Sequence, residues 1–304
     1  MIFSKQFITS LENLVEDASD IVFAGVPVDD RGSQVTRSLK NIQLEKYVEL
    51  FFNPEKMSFS VNQVEVNLRE FEGFLNKIFN GVEIGALTID ATTLSIAELL
   101  YIFRWVKKHQ NQITLKIIYA EPENYTSRID TQSDFGKHQF SLSDDSRGYI
   151  ALPGFTRAVN GRNKSHVLAL LGFERVRLGQ LLSNDEGAYI NSFTPIFGVP
   201  GFKPYYDKHS VYQNIDLITR SGEKPEFSSA NNPFATYNLL SEISDSLPDF
   251  LINIAPIGTK PMAIGACLFL VNNNIKAGLM YDHPYKKKGR SEGVSKVHCF
   301  VVEL

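Results

Sequence analysis

The chain repeats a segment of itself, and that repeat limits the available folds more than any other feature. Residues 87–106, LTIDATTLSIAELLYIFRWV, align without a gap to residues 252–271, INIAPIGTKPMAIGACLFLV. In each copy a short β-type run ends in a polar loop and opens into an apolar stretch of helical length, the order found in open α/β sheets. Beyond each copy a further strand ends alike, IIYAEP at 117–122 and LMYDHP at 279–284, with tyrosine and proline in register. The segments opening at Ile21 (IVFAGVPVDDRGS) and His166 (HVLALLGFERVRL) also share a strand, a turn and an acidic residue followed by arginine, Asp30-Arg31 and Glu174-Arg175.

These matches predict an α/β protein of two Rossmann-like halves with mainly parallel sheets, related by internal duplication. The halves are residues 1–127 and 148–304. Between them, 128–147 is rich in Ser, Asp, Thr and Gln without an apolar period and reads as a linker or surface loop. The apolar runs place helices at 34–40, 68–78 and 95–109 in the first half and at 175–182, 206–218, 233–246 and 261–272 in the second. A strand at 148–152 should open the second half, and a last strand at 297–302 should close it. Near-continuous apolar strands between helices argue for a sheet covered on both faces, with functional groups at the carboxyl ends of its strands.

Composition narrows the function. Thirty-one Lys and Arg against 34 Asp and Glu leave a net charge of −3, so direct DNA or RNA binding is not indicated by the overall field. Two cysteines, Cys267 and Cys299, build neither a disulfide scaffold nor a thiolate zinc site, which fits a cytoplasmic protein. The first 16 residues lack the apolar core of a secretory signal, and the uninterrupted apolar run at 262–271 is about half a membrane span, so no membrane association is expected. The six histidines have neither H-x-x-x-H nor H-E-x-x-H spacing, and the G-x-S-x-G, G-x-x-x-x-G-K-[ST] and G-x-G-x-x-G patterns are missing. No metal and no cofactor are expected, and no catalytic residue is assigned.

The sharpest candidate is the loop 255–261, Ala-Pro-Ile-Gly-Thr-Lys-Pro, between a buried strand and a helix with Pro261 in its first turn. Gly258 would let the backbone approach a ligand, the amides of the helix start favour an anion, and Thr259 and Lys260 add a hydroxyl and a charge. A capped turn with Lys260 in solvent is the plain alternative. The aligned first-half loop, Asp90 to Ser95, has neither glycine nor lysine; its Asp90, Thr92 and Thr93 cap the helix or bind a base or ribose hydroxyl. Gly172, Glu174, Arg175 and Arg177 follow another apolar strand and are candidates for phosphate or ribose contacts, or else a solvated helical turn. Residues 198–202 form a third wall or a tight turn. His283 and the run Lys286, Lys287, Lys288, Arg290 follow the strand ending at Tyr281 and read as a mobile lid over a polyanion, or as a solvated loop.

At the Gly-Thr-Lys turn the sequence resembles the CARF domains, Rossmann-like sensors of cyclic oligonucleotides in CRISPR and other prokaryotic defence systems. Asn253, Gly258, Thr259, Lys260 and Met262 carry the resemblance, over about ten residues. It implies an anionic nucleotide ligand at the carboxyl edge of the second half and, since no effector module is evident, a protein effector partner. Two other readings stand beside it: a ring-nuclease-like phosphodiesterase, in which Lys260, Arg175 or Arg290 stabilises developing charge, and a scaffold subunit of a nucleic-acid-processing complex.

Overall fold

The computed structural model of the protein describes residues 4–14, 20–40, 47–108, 113–129, 138–140, 142–157, 164–183 and 192–304. The chain divides into two compact units, Met1–Thr126 with Lys288–Leu304, and Ser127–Lys287. Each is a mixed α/β structure. The rest of the 128–147 segment lies outside the described residues; what is described there forms short strands, Ser127–Ile129 paired with His138–Phe140, and Ser143–Ser146 paired with Pro284–Lys286.

The first unit carries an eight-stranded sheet in the order Ser4–Thr9, Ser291–Glu303, Thr114–Tyr125, Ala86–Asp90, Ile21–Gly25, Tyr47–Asn53, Ser58–Val61, Val64–Asn67. The four inner strands, from Thr114–Tyr125 to Tyr47–Asn53, run parallel, and antiparallel strands extend both sides. Burial of every residue of Ile21–Gly25 explains its unbroken apolar sequence, because a parallel strand here is covered on both faces. The last two strands form a hairpin turning on Asn62 and Gln63, both at positive φ, as two-residue hairpin turns require. On one face Phe59 stacks on Phe71 at 4.0 Å and Phe23 meets Trp105 edge-on. On the other, Val35 and Leu39 of the helix Asp30–Lys40 pack with Val22, Ala24, Ile118 and Ala120.

The main sheet of the second unit has five strands, all parallel, in the order Glu226–Ser228, Ser192–Gly198, Lys164–Leu171, Phe250–Pro256, Ala277–Leu279. Val167, Ala169, Leu171, Phe193, Phe197 and Ala255 build the core that Leu178 and Ile218 complete from the helices Arg175–Ser183 and Tyr206–Ser221. The helix Lys260–Asn272 is buried from Pro261 to Val271, which accounts for its apolar sequence on all sides. It packs closely on Pro233–Ser246: a β-carbon on Gly265 would lie 2.3 Å from the Pro233 carbonyl oxygen.

Two expectations change. Residues 148–152 form no strand; Gly148 turns the chain at positive φ, and the Leu152 carbonyl accepts the amides of Phe155 and Thr156. The C-terminal strand belongs to the first unit's sheet, between Ser4–Thr9 and Thr114–Tyr125, rather than to the second. In both units the opening strand of the parallel set lies inside it, with the next strand on one side and the repeat strand on the other. The register Phe23–Ile89–Ile117 has the same form as Leu168–Ile254–Leu279.

Candidate functional site

Strand order reverses in the second unit between Lys164–Leu171 and Phe250–Pro256, so the loops after these strands flank the position where open α/β sheets take ligands. Here the loops close on each other. A β-carbon on Gly172 would lie 3.0 Å from the Ile257 carbonyl oxygen, and one on Gly258 would lie 3.1 Å from that of Leu171. The Met262 sulfur would be 3.3 Å from a Gly258 β-carbon and 3.1 Å from one on Gly198, so this buried side chain fills the space beneath the loops that hold these two glycines. Close protein packing at the floor of the edge therefore accounts for glycine at 172, 198 and 258. Anything bound must sit above that floor.

Above it stand Thr259 and Lys260, both half-buried, at the start of the helix Lys260–Asn272. The Thr259 hydroxyl donates to the Ala230 carbonyl at 2.6 Å, which joins the loop to its neighbour and commits the hydroxyl proton. Burial pushes the Cys267 thiol, in the same helix, up to about 12, against the pull of the Lys260 ammonium. Asn253 is not at the edge, because its strand continues to Pro256. It is buried mid-strand and donates to Ser165 Oγ at 2.8 Å.

Glu174 and Arg177 come together with Asp282 and His283 in a second cluster. The Arg177 guanidinium donates twice to the Asp282 carboxylate, Nε at 2.7 Å and Nη2 at 2.6 Å, and lies 3.5 Å from Glu174. Burial disfavours its charge, but Asp282 and Glu174 outweigh burial and hold the group more firmly protonated than usual. Glu174 in turn accepts the amides of Leu142 and Ser143. His283 is buried, and burial lowers its basicity below the ordinary histidine value; Nε2 faces the Ile150 carbonyl at 3.1 Å, which can only accept, so that nitrogen carries the proton. These side chains bind protein groups and fix the loops around 142–150 and 280–284. Arg175 is exposed and reaches Asp216 at 3.5 Å.

Arg290 is in the first unit, where it lies 3.4 Å from Asp29, itself contacted by Arg31 and by the Ser291 hydroxyl. The basic run is pinned along its backbone: Lys287 donates to Leu142, and Gly289 donates to Val28. In the first unit's repeat loop, Asp90 accepts the Thr92 amide and the Thr93 hydroxyl, Thr93 Oγ1 accepts the Gly25 amide, and Thr92 Oγ1 accepts the Ala120 amide. Burial raises the Asp90 carboxyl above its ordinary value, opposed by the Thr93 and Thr92 hydrogen bonds. Those bonds hold the loop together and tie it to the strands Ile21–Gly25 and Thr114–Tyr125.

Sequence reasoning overlooked two features of the second unit. Phe140, Phe173, Tyr206 and His209 pack as a group, Phe140 stacked on Phe173 at 4.7 Å. A shallow, mainly apolar hollow of about 430 Å³ is lined by Val199, Asp207, Lys208, Val211, Tyr212 and Ile215. The 3–4 spacing of residues 205, 208, 212, 215 and 219 was the available signal for the second. Among the described residues no group of three His, Cys, Asp or Glu is placed to hold a metal, and no helix is long and apolar enough to cross a membrane. No protein-family model matches the chain, and no curated protein matches it.

Proposed function

We propose that the protein binds an anionic nucleotide at the carboxyl edge of its second unit and serves as a CARF-like sensor or accessory subunit of a prokaryotic defence system, passing its signal to a protein partner. The observation that carries this reading is the position of Lys260: a half-buried cation at the start of a 13-residue helix, beside the reversal of strand order. The helix dipole and the amides of a helix start favour an anion there, and the Lys260 ammonium would add a charge-assisted contact to it. Gly258, Thr259 and Gly172 shape the floor and wall of this site, while Glu174, Arg177 and His283 hold its surroundings through the bonds described above.

The same reading takes the two units as diverged copies of one Rossmann-like ancestor. Three correspondences support it beyond the sequence repeat. First, the strand registers have the same form. Second, each repeat loop makes a close backbone approach to the opening strand, with glycine on the strand in the first unit (Gly25 against Thr93) and on the loop in the second (Gly258 against Leu170 and Leu171). Third, an arginine from the first helix reaches the segment after the repeat, mid-strand in the first unit and just past the strand in the second. Arg31 donates to the Tyr119 hydroxyl and the Ala120 carbonyl, and Arg177 donates to Asp282, next to Tyr281.

Calorimetric titration of cyclic and linear oligonucleotides into the wild type and Lys260→Ala tests the site. One charge-assisted contact in a partly dry site is worth roughly 1.5–3 kcal/mol, so the variant should bind about one to two orders of magnitude more weakly. Lys288→Ala, in the first unit, should bind as the wild type does. Equal binding by the wild type and Lys260→Ala would remove the turn from the site, and no binding by the wild type would overturn the nucleotide reading.

A further inference from the structure

Two arginines of the first unit share one carboxylate. Asp29 follows the strand Ile21–Gly25; its Oδ2 accepts the Ser291 hydroxyl at 2.8 Å and faces the Nε atoms of Arg31 and Arg290, each at 3.4 Å. Its other oxygen, Oδ1, accepts the Gly32 amide at 3.0 Å. All three charged side chains are largely withdrawn from water: Arg31 is 4% exposed, Asp29 3% and Arg290 14%. Two positive charges therefore stand against one negative charge in a mostly desolvated place, where an unmatched charge is costly. The other carboxylates on these segments do not supply the balance. Asp30 accepts the Gly293 amide and the Gln34 side chain, Glu121 faces His298, and Glu123 lies against Gly293. Among the described residues Arg31 and Arg290 form ion pairs with Asp29 alone.

The remaining donors define the ligand. Each arginine meets Asp29 through Nε only, so neither forms the two-pronged pair that a guanidinium can make with a carboxylate. Arg31 Nη1 donates to the Tyr119 hydroxyl at 3.1 Å and the Ala120 carbonyl at 3.0 Å. Arg31 Nη2 and both terminal nitrogens of Arg290 make no hydrogen bond to the described residues. Arg177 of the second unit is the contrast, since its guanidinium donates twice to Asp282 and has Glu174 beside it as well. We propose that Arg31 and Arg290 form a binding site for a phosphate group, which accepts from the guanidinium nitrogens that Asp29 does not use. Both guanidinium groups reach the same oxygen of Asp29, so one small anion can reach both. A carboxylate fills a single fork, whereas the terminal oxygens of a phosphate accept from two arginines at once. The Tyr119 and Tyr125 rings, 5.5 and 5.9 Å from Arg31 Cζ, hold that guanidinium by cation–π contact. The proposal does not depend on nucleotide binding at the turn of the second unit.

Titration of the full, isotope-labelled chain with sodium phosphate, read on the arginine Nε–H resonances, tests the site. The Arg290 resonance, identified by its loss in Arg290→Lys, and one further arginine resonance, that of Arg31, should move together with a dissociation constant on the order of a millimolar at low salt. Glycerol phosphate in a parallel titration separates the two sources of the group: tighter binding than the free ion marks an ester as the ligand, and weaker binding marks the free ion. Acetate at equal concentration should leave both resonances in place. Arg290→Gln should weaken phosphate binding at least about tenfold, read on the Arg31 resonance, and Arg290→Lys, which keeps the charge and loses the fork, should weaken it less. The Arg290 side chain holds the protein through one 3.4 Å pair, so both variants should keep the amide spectrum of the wild type. Arginine resonances that stay fixed up to about 20 mM phosphate, an equal response to acetate, or a phosphate affinity unchanged in Arg290→Gln would overturn the proposal.

Discussion

Arginine next to a strand end is ambiguous at the scale of single residues, since the guanidinium that could bind phosphate can equally bind a carboxylate of the same chain. Arg177 shows how the choice is made. Its partner Asp282 is 105 positions away, so no local pattern reveals that the charge is already matched. In the first unit Arg31 is almost fully buried, and with Arg290 it shares the carboxylate of Asp29. Burial would raise that carboxyl, but the two arginines, the Gly32 amide and the Ser291 hydroxyl outweigh it and hold Asp29 below its ordinary value. A depressed folded value means that this stabilisation is present above the ordinary carboxylate range and is lost as pH falls through the folded value. Asp29→Asn leaves two guanidinium groups without their shared carboxylate and should cost about 3–5 kcal/mol at neutral pH. Urea denaturation at neutral and acid pH should show the variant losing less stability on acidification than the wild type. Parallel loss in both proteins would mean that Asp29 does not carry the acid response.

Among the elements, those that announce themselves are the ones whose burial is set by local sequence. The helix Pro233–Ser246 falls where its Asn232 cap and its Pro233 place it, with the Asn232 side chain accepting the amides of Phe234 and Ala235. The buried strands and the apolar helix of each repeat are equally plain. The strand Ser4–Thr9 and the three-residue strands Glu226–Ser228 and Pro284–Lys286 are not, because so short or so half-buried a stretch is defined by its neighbour rather than by its own residues. The candidate site divides in the same way: a glycine at 258 is visible in the sequence, but whether it makes room for a ligand or for Leu171 depends on where another loop lies. Glycine substitutions separate these roles. Gly265→Ala would push a methyl group into the Pro233 carbonyl and should cost about 1–3 kcal/mol despite the better helix propensity of alanine. Gly179→Ala, in the helix Arg175–Ser183 with nothing within 4 Å, should gain about 0.5–1 kcal/mol. Chemical denaturation of both variants checks the contrast. Equal effects of the same sign would show that close packing between the helices Pro233–Ser246 and Lys260–Asn272 does not set the identity of residue 265.

Taken as a whole, the molecule encloses one unit within the chain of the other. Residues 127–287 form the second unit without interruption, while the first needs both ends of the protein. The strand Ser291–Glu303 lies between Ser4–Thr9 and Thr114–Tyr125 and pairs with both along most of their length, so it is an inner member of the first sheet. Without it Thr114–Tyr125 presents an open edge and Ser4–Thr9 has no neighbour in the sheet, a state in which exposed backbone groups invite aggregation. The contiguous fragment 127–287 should therefore fold alone, with a single cooperative thermal transition and dispersed amide resonances. The fragment 1–126 should not, and addition of a synthetic 288–304 peptide should restore its ordered spectrum. During synthesis the second unit would then be complete before the first can close its sheet. Cooperative folding of 1–126 without the peptide would show that the C-terminal strand is an accessory to the first unit rather than part of its foundation. Failure of 127–287 to fold would show that the parallel sheet of the second unit depends on the rest of the chain.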